Sequence, residues 1–349
     1  MIPTRPRDKV VKLLRWLAFS ARPLALVELA EVFAIHQDEF DSERRPRDPR
    51  RILDTCSSLV KISNSTLRND DYGNPLRRLP ASVLESGTLA LIHLSVKEYL
   101  ISEELRDSKS SSSCYYLDKK LADSIISREC LAYLLQFDTV DSLREQSEAS
   151  ISFGRYAAEF WITHARSDDG VIEDAVQPLI SRLLSPQGAS FNNWVKLFDV
   201  DRSYGQESSN NIPCPLYYAS LLGLGQIVDQ LVSGSELVDV NLMGGKHGSA
   251  LASASYGGYK DIVGILLKNG ANVNTTGGEY GSALASASAG GQKEIVEILL
   301  EKGADVNMVG GEYGSPLASA SARGHKDIVK ILLAKGANVN CLVEATRAH

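Results

Sequence analysis

The stretch Gly281 to Asn307 reads GSALASASAGGQKEIVEILLEKGADVN. It has near-copies in GSALASASYGGYKDIVGILLKNGANVN from Gly248 to Asn274 and GSPLASASARGHKDIVKILLAKGANVN from Gly314 to Asn340. The pairs Gly244/Gly245, Gly277/Gly278 and Gly310/Gly311, and the residues Asn241, Asn274, Asn307 and Asn340, keep a period of 33 residues. Such a period marks a stack of supersecondary units, each unable to bury its own apolar face without a neighbour. Ile295, Val296, Leu299 and Leu300 fall at helical spacing, as do Ile262, Val263, Leu266, Leu267 and Ile328, Val329, Leu332, Leu333, giving one apolar stripe per unit. Gly270, Gly303 and Gly336 follow that helix where a left-handed residue ends it, and Val273, Val306 and Val339 are expected to plug the layer beneath. An Ala/Ser-rich helix precedes the stripe, so two helices can approach closely.

These units resemble ankyrin repeats. The Thr-Pro-Leu-His signature of that family survives as Ser315-Pro316-Leu317-Ala318, and more loosely as Ser249-Ala250-Leu251-Ala252 and Ser282-Ala283-Leu284-Ala285; all three lack its histidine. An earlier copy, PLYYASLLGLGQIVDQLVSGSELVDVN from Pro215 to Asn241, fits with two extra residues before Val240. The expectation is four repeats at 213–241, 247–274, 280–307 and 313–340, the first degenerate. After the last helix, 326–335, only Cys341 to His349 follow, too few for the polar cap such stacks require. An exposed apolar end is therefore expected, from a fragment, a truncated gene or self-association.

At 349 residues, with 44% hydrophobic and 23% charged residues, the chain has the composition of a folded protein of two or three domains. The net charge of -6 divides as +2 over 1–106, -6 over 107–212 and -2 over 213–349, so no block is basic enough to point to nucleic acid. Five widely spaced cysteines, Cys56, Cys114, Cys130, Cys214 and Cys341, include no C-x-x-C pair and imply a reducing compartment, cytoplasm or nucleus. The apolar run Val10 to Ile35 is cut by Lys12, Arg15, Arg22, Glu28 and Glu31, which excludes a membrane span or signal peptide there.

In chain order, helices are predicted over 8–20, Leu26 to Ile35 and Pro49 to Val60, with a charged loop 38–49 between the last two. Val60 to Ser63 and Thr88 to His93 are β-rich runs that can pair as a long hairpin across a polar loop holding Asn69, Asp70, Asp71, Gly73, Asn74 and Pro75. Three helices and a hairpin make a winged-helix-like domain over 1–106. Serines 108 and 110–113 form a polar linker, and helices over Ala122 to Phe137, Phe153 to His164, Val176 to Leu184 and Asn192 to Leu197 make a helical connector over 107–212. The fold class is thus mainly α, with an ankyrin-repeat solenoid over 213–349.

Several segments before the repeats resemble fungal NACHT-ankyrin proteins: Ile52-Leu53-Asp54-Thr55-Cys56-Ser57-Ser58-Leu59-Val60, Leu91 to Leu100, Cys130-Leu131-Ala132-Tyr133-Leu134-Leu135 and Arg155-Tyr156-Ala157-Ala158-Glu159-Phe160-Trp161. That resemblance implies a winged helix used as an intramolecular spacer, downstream of the nucleotide-binding module of a signal-transduction ATPase. The chain itself holds no G-x-x-x-x-G-K-[ST]; Gly244-Gly245-Lys246-His247-Gly248-Ser249 has its letters in the wrong order. There is no H-E-x-x-H and no G-x-S-x-G. No catalytic residue, cofactor, metal or small-molecule substrate is expected. Arg44, Arg45, Arg47, Arg50 and Arg51 stand where a DNA-reading winged helix would place them, but Asp38, Glu39, Asp41, Glu43, Asp48 and Asp54 interleave and offset their field.

Comparison of the copies with one another separates what stacking requires from what it leaves free. Tyr256 becomes Ala289 and Ala322; Tyr259 becomes Gln292 and His325; Gly257 becomes Gly290 and Arg323; Lys246-His247 becomes Glu279-Tyr280 and Glu312-Tyr313. Fingers and first helices line the concave side of such a stack, where exposed Tyr, Arg and His anchor interfaces. The candidate protein-binding residues are Lys246, His247, Tyr256, Tyr259, Glu279, Tyr280, Glu312, Tyr313, Arg323 and His325. The competing structural reading is that Tyr280 and Tyr313, kept in both fingers, cover the neighbouring turn. The function expected is a non-enzymatic protein-interaction scaffold or sensor; the alternatives are the regulatory half of a NACHT-type ATPase and a winged-helix DNA-binding regulator.

Overall fold

The computed structural model describes residues 6–55, 58–63, 87–144, 148–166, 171–201, 212–234 and 238–341. It forms two compact units, residues 1–183 with 188–198, and residues 184–187 with 199–349.

The first unit opens with α1, Pro6–Phe19, whose Leu13, Leu14, Trp16 and Ala18 are buried. β1, Leu24–Ala25, leads into α2, Leu26–Phe33. Glu28 on the first turn of α2 accepts the Ala25 N–H at 2.8 Å, satisfying one donor at the helix start. The helix ends two residues earlier than its apolar pattern predicts, because a hairpin intervenes. β2, Ile35–His36, and β3, Glu39–Phe40, pair antiparallel through Gln37 and Asp38, both left-handed at φ 51° and 63°. A two-residue turn with both central φ values positive matches the twist of the flanking strands.

The third predicted helix, Pro49 to Val60, is instead a short 3-10 helix, Pro49–Thr55. So few residues between a proline and a strand do not repay the cost of nucleating an α-helix. β4, Val60–Ser63, and β5, Thr88–Leu91, pair antiparallel with Val60 opposite Leu91, and β1 adds to the other edge, giving the order β1-β5-β4. The polar loop predicted between the two strands, and Cys56, fall outside the described residues. After the sheet come α3, Leu94–Leu100, and α4, Glu103–Asp107, the latter capped by the Ser102 hydroxyl. The serine linker is itself ordered as a 3-10 helix, Ser111–Tyr115, because Ser110 caps it.

α5, Lys119–Leu135, and α6, Glu148–Ala165, form the central pair, completed by α7, Gln177–Leu183, and α8, Ala189–Leu197. The division predicted at 106/107 falls inside this unit, since α1 and α2 share its core. Trp16 sits against Phe153 and Tyr156, ring centroids 5.6 Å from each, and its indole N–H donates to Glu129 at 2.5 Å. The other Glu129 oxygen takes Lys12 at 2.8 Å. Glu28 binds Arg22 and accepts from the Ser152 hydroxyl, while Glu31 binds Arg45 and accepts from Tyr133. Three nearly buried carboxylates are therefore all paired, which burial demands. Among the described residues no helix is long and apolar enough to cross a membrane.

Among its described residues the second unit has four helix pairs: α9, Pro215–Leu221, with α10, Gly225–Ser233; α11, Ala250–Gly257, with α12, Lys260–Lys268; α13, Ala283–Ala289, with α14, Lys293–Glu301; α15, Pro316–Ala322, with α16, Lys326–Ala334. First helices pack on first helices and second on second. Ser249, Ser282 and Ser315 cap the first helices, each hydroxyl accepting the N–H three residues on at 3.1–3.2 Å. Ser253, Ser286 and Ser319 are fully buried, so the small side chains do let these helices close up.

The stripe buries as its spacing requires: Ile262, Ile295 and Ile328 are each 2% exposed and Leu266, Leu299 and Leu332 fully buried. Each such side chain contributes about 1.5–3 kcal/mol. The last copy is barer, with Leu333 44% and Val339 55% exposed. Val273 and Val306 are half-buried rather than full plugs.

The periodic asparagine has a structural cause. Asn274 donates from Nδ2 to the Gly303 carbonyl at 3.0 Å and accepts the Asp305 N–H at 2.8 Å, both in the next repeat. Asn241 does the same to Gly270 and Asn272, and Asn307 to Gly336 and Asn338. The periodic glycine pair reflects contact between fingers: Glu279 N–H donates to the Lys246 carbonyl and Glu312 N–H to the Glu279 carbonyl, each at 2.7 Å. Gly278 has φ 74°, and a Cβ there would lie 2.2 Å from the His247 carbonyl carbon. Backbones approach so closely that only glycine fits.

Replacing Asn274 by Ala is expected to destabilise the repeat unit by about 1 kcal/mol, since both of its hydrogen bonds are exposed to water. Urea unfolding should show the loss, and a clearly smaller one for Asn340→Ala, which bridges to no further described repeat.

Candidate protein-recognition surface

The fingers and first helices of the second unit bring together a row of rings. His247 lies 4.7 Å from Tyr256; Tyr256 stacks on Tyr280 at 5.3 Å and 19°; Tyr280 stacks on Tyr313 at 5.8 Å and 7°. The fingers contribute His247, Tyr280 and Tyr313, stacked at 5.9 and 5.8 Å, and Tyr256 joins the row from α11, while Ala285 and Ala289 pack beneath it. Arg323 closes the row, donating from Nη2 to the Tyr280 hydroxyl at 3.0 Å while remaining exposed. Near-parallel rings of this kind add about 0.5–1.5 kcal/mol per pair beyond area burial.

The ten candidates divide by place. His247, Tyr256, Tyr280, Tyr313 and Arg323 belong to the row. Tyr280, however, is only 2% exposed, so its ring holds the fingers together and presents little to a partner. Burial, then its hydrogen bond with Tyr256, pushes its phenol up from the ordinary value. Tyr256 and Tyr313 are half-buried and keep an accessible edge. Lys246 and Glu279 pair across adjacent fingers at 3.2 Å, and Glu312 is exposed at the next finger.

Tyr259 and His325 lie in a second row with a different task. A Cβ on Gly223 would come within 2.5 Å of the Tyr259 ring, and one on Gly291 within 2.7 Å of the His325 ring. Each ring covers the turn of the preceding repeat. His325 Nε2 lies 3.1 Å from the Ala289 carbonyl, and Gln292, at the equivalent position, donates to the Tyr256 carbonyl at 3.3 Å. The variability that marks these positions as candidates is variation in how a turn is covered.

Two residues without a repeat signal anchor the first finger. Asp201 accepts the Tyr217 hydroxyl at 2.8 Å and the Lys246 N–H at 2.6 Å, and the Tyr217 oxygen accepts the His247 N–H at 3.1 Å. Asp201 precedes the first repeat, so comparison of the copies does not reveal it. His247, 5% exposed, is left with Nδ1 unpartnered. Burial, its largest influence, lowers its pKa, opposed by Asp201 and Glu279 and assisted by Lys246.

In the first unit Asp123, His164 and Tyr156 form a chain with the polarity of a catalytic relay. His164 Nδ1 is 2.8 Å from Asp123, and the Tyr156 hydroxyl 3.0 Å from Nε2. The Tyr156 oxygen is occupied by the Ala21 N–H at 2.9 Å, and the side chain is 0% exposed. The chain braces α6 against α5 and the turn after α1.

A family model described as ankyrin repeats (three copies) matches residues 275–342, the last two copies of the period. The curated protein named azaphilone pigments biosynthesis cluster protein L, from Monascus ruber, is 31% identical over 285 residues, 76% of this chain and 56% of its own length. Among solved structures, the human ASB11 ankyrin repeat domain is 32% identical, over 36% of this chain and 55% of that one, with a TM-score of 0.32. The chain spans a little over half the length of each.

His247 is neutral in the fold, so between its lowered value and about 6.5 the unfolded chain binds the extra proton. Stability of the repeat unit should therefore fall as pH drops below about 6.5. In His247→Phe, which keeps a ring in the row, the difference in urea midpoint between pH 7.5 and 5.5 is expected to shrink; an unchanged difference contradicts this assignment.

Proposed function

We propose that the C-terminal ankyrin repeats are a protein-recognition scaffold whose contact face is the ring row, with the open edges of Tyr256 and Tyr313 and the guanidinium of Arg323 as anchors. The single observation that carries this reading is the continuous row over three fingers, with Tyr256 added from α11, ending in an exposed arginine. A rigid aromatic surface loses little conformational entropy on binding, and Tyr and Arg dominate interface energetics. The ankyrin-repeat unit is an interaction fold, and the mechanism is display of a fixed surface rather than bond making. Glu312, exposed beside the row, favours a partner with a basic side chain next to an aromatic or aliphatic anchor, Glu279 being paired with Lys246.

For the N-terminal unit we infer a winged helix. The order β1-β5-β4 following helical segments supports it. Use as an intramolecular spacer is supported over DNA reading by ion pairs at three of the five arginines: Arg44 with Asp41 at 3.0 Å, Arg45 with Glu31 at 2.8 Å and Arg50 with Asp48 at 2.8 Å. Together with the resemblance to fungal NACHT-ankyrin proteins, this supports a sensor half whose repeats report a bound partner to an attached module. The curated relative carries the name of a biosynthesis cluster, so proteins encoded beside this gene are the first partners to try.

Affinity capture with the intact chain and with a Tyr256→Ala/Tyr313→Ala/Arg323→Ala variant, compared quantitatively, tests the scaffold reading. Specific partners should fall at least tenfold with the variant, measured where circular dichroism shows both proteins folded, since the variant also loses the ring pairs of Tyr256 and Tyr313 with Tyr280 and its unfolding midpoint should fall. Equal recovery of every partner contradicts the assigned face.

A further inference from the structure

The first unit contains a cleft that the scaffold reading does not use. It lies between α1, the end of α2 and the loop that leads into the 3-10 helix Pro49–Thr55, and encloses about 520 Å³. That is the size of a small-molecule site. Val10, Leu13, Phe33, Pro46 and Ile52 form an apolar lining, with Leu13 1% and Ile52 8% exposed. Lys9, Arg44, Arg47 and Arg51 supply the cations, and Asp48 the only carboxylate among its lining residues.

Several of the carboxylates near these arginines are engaged with other cations or backbone groups. Asp48 Oδ1 accepts both Nε and the N–H of Arg50; Asp41 takes Arg44 and the Glu43 N–H; Glu31 takes Arg45; Asp38 takes Arg128. Lys9, Arg47 and Arg51 are exposed, and among the described residues no carboxylate lies within ion-pair distance of them. A charge-balanced sequence has folded so that Lys9, Arg47 and Arg51 face one apolar hollow with Asp48, itself hydrogen-bonded to Arg50 and in the field of Arg51, as the one carboxylate on its lining.

We propose that this cleft binds a small organic phosphate ester, its apolar body against Val10, Leu13, Phe33 and Ile52 and its dianionic head among Lys9, Arg47 and Arg51. Three cations call for more than one negative charge, and guanidinium forks match phosphate oxygens in pairs. The apolar lining sets this site apart from one for a bare anion. The flat phosphate track of nucleic acid would use the cations and leave the hollow empty.

The test is a titration of the intact chain with 1-naphthyl phosphate, followed by fluorescence, alongside inorganic phosphate, 1-naphthol and 1-naphthoate. The ester should bind at least tenfold more tightly than any of the three. Arg47→Ala/Arg51→Ala should weaken it at least tenfold with an unchanged circular dichroism spectrum, since both side chains are exposed, while Arg144→Ala, remote from the cleft, should not. Four results overturn the proposal: no binding of the ester, affinity unchanged in the double variant, inorganic phosphate binding as tightly as the ester, or 1-naphthoate doing so. Displacement of the ester by a 15-base-pair duplex, lost in the double variant, would reassign the cations to nucleic acid and overturn it as well.

Discussion

Each repeat is held to the next by an asparagine that makes two backbone hydrogen bonds across the gap. Asn241, Asn274 and Asn307 each donate to the carbonyl of the glycine that ends the neighbouring second helix, and accept an N–H two residues further on. A side chain that must meet both a donor and an acceptor fixes translation and rotation between units together. The apolar stripe supplies most of the free energy but is indifferent to small slips; the asparagine is not. Once the step between repeats is set, the fingers meet at backbone distance, which is why glycine is needed at Gly278 and Gly311.

The same step produces the surface. The finger rings His247, Tyr280 and Tyr313 must lie roughly the finger spacing apart, and 5.9 and 5.8 Å between centroids is a stacking distance. The row is thus a by-product of repetition. What distinguishes this chain is where the row is interrupted: His247 starts it and Arg323 ends it. The innermost ring, Tyr280, is structural, and recognition falls to the rings with free edges. Turn-covering by Tyr259, Gln292 and His325 forms a parallel row one layer away, evidence that variability between copies has two origins.

The repeats were legible in the sequence because periodic restraint leaves a periodic trace: the stripe, the helix-ending glycines and the asparagines all sit where their spacing places them. The strands Val60–Ser63 and Thr88–Leu91 were legible from β-branched composition. The hairpin through Gln37 and Asp38 was not, since its left-handed turn uses neither glycine nor asparagine. Neither was the shared core of residues 6–55 with the later helices, because Trp16 meeting Glu129, Phe153 and Tyr156 is a long-range contact with no local signature. In the site, exposure was the illegible quantity. His247 and Tyr280 look like surface residues in a comparison of copies, yet both are buried by neighbours whose identity depends on the stacking step. Asp201 contributes through a segment outside the period.

The fingers stack in register, so that Tyr280 and Tyr313 lie ring on ring and Tyr256, from α11, packs on the same row. Nuclear Overhauser effects between assigned ring protons of Tyr256, Tyr280 and Tyr313 measure it directly. The account predicts cross-peaks from Tyr256 to Tyr280 and from Tyr280 to Tyr313, with shifts displaced by the stacked neighbours. Rings that give cross-peaks only within their own repeats, with shifts of solvent-exposed tyrosine, would contradict it.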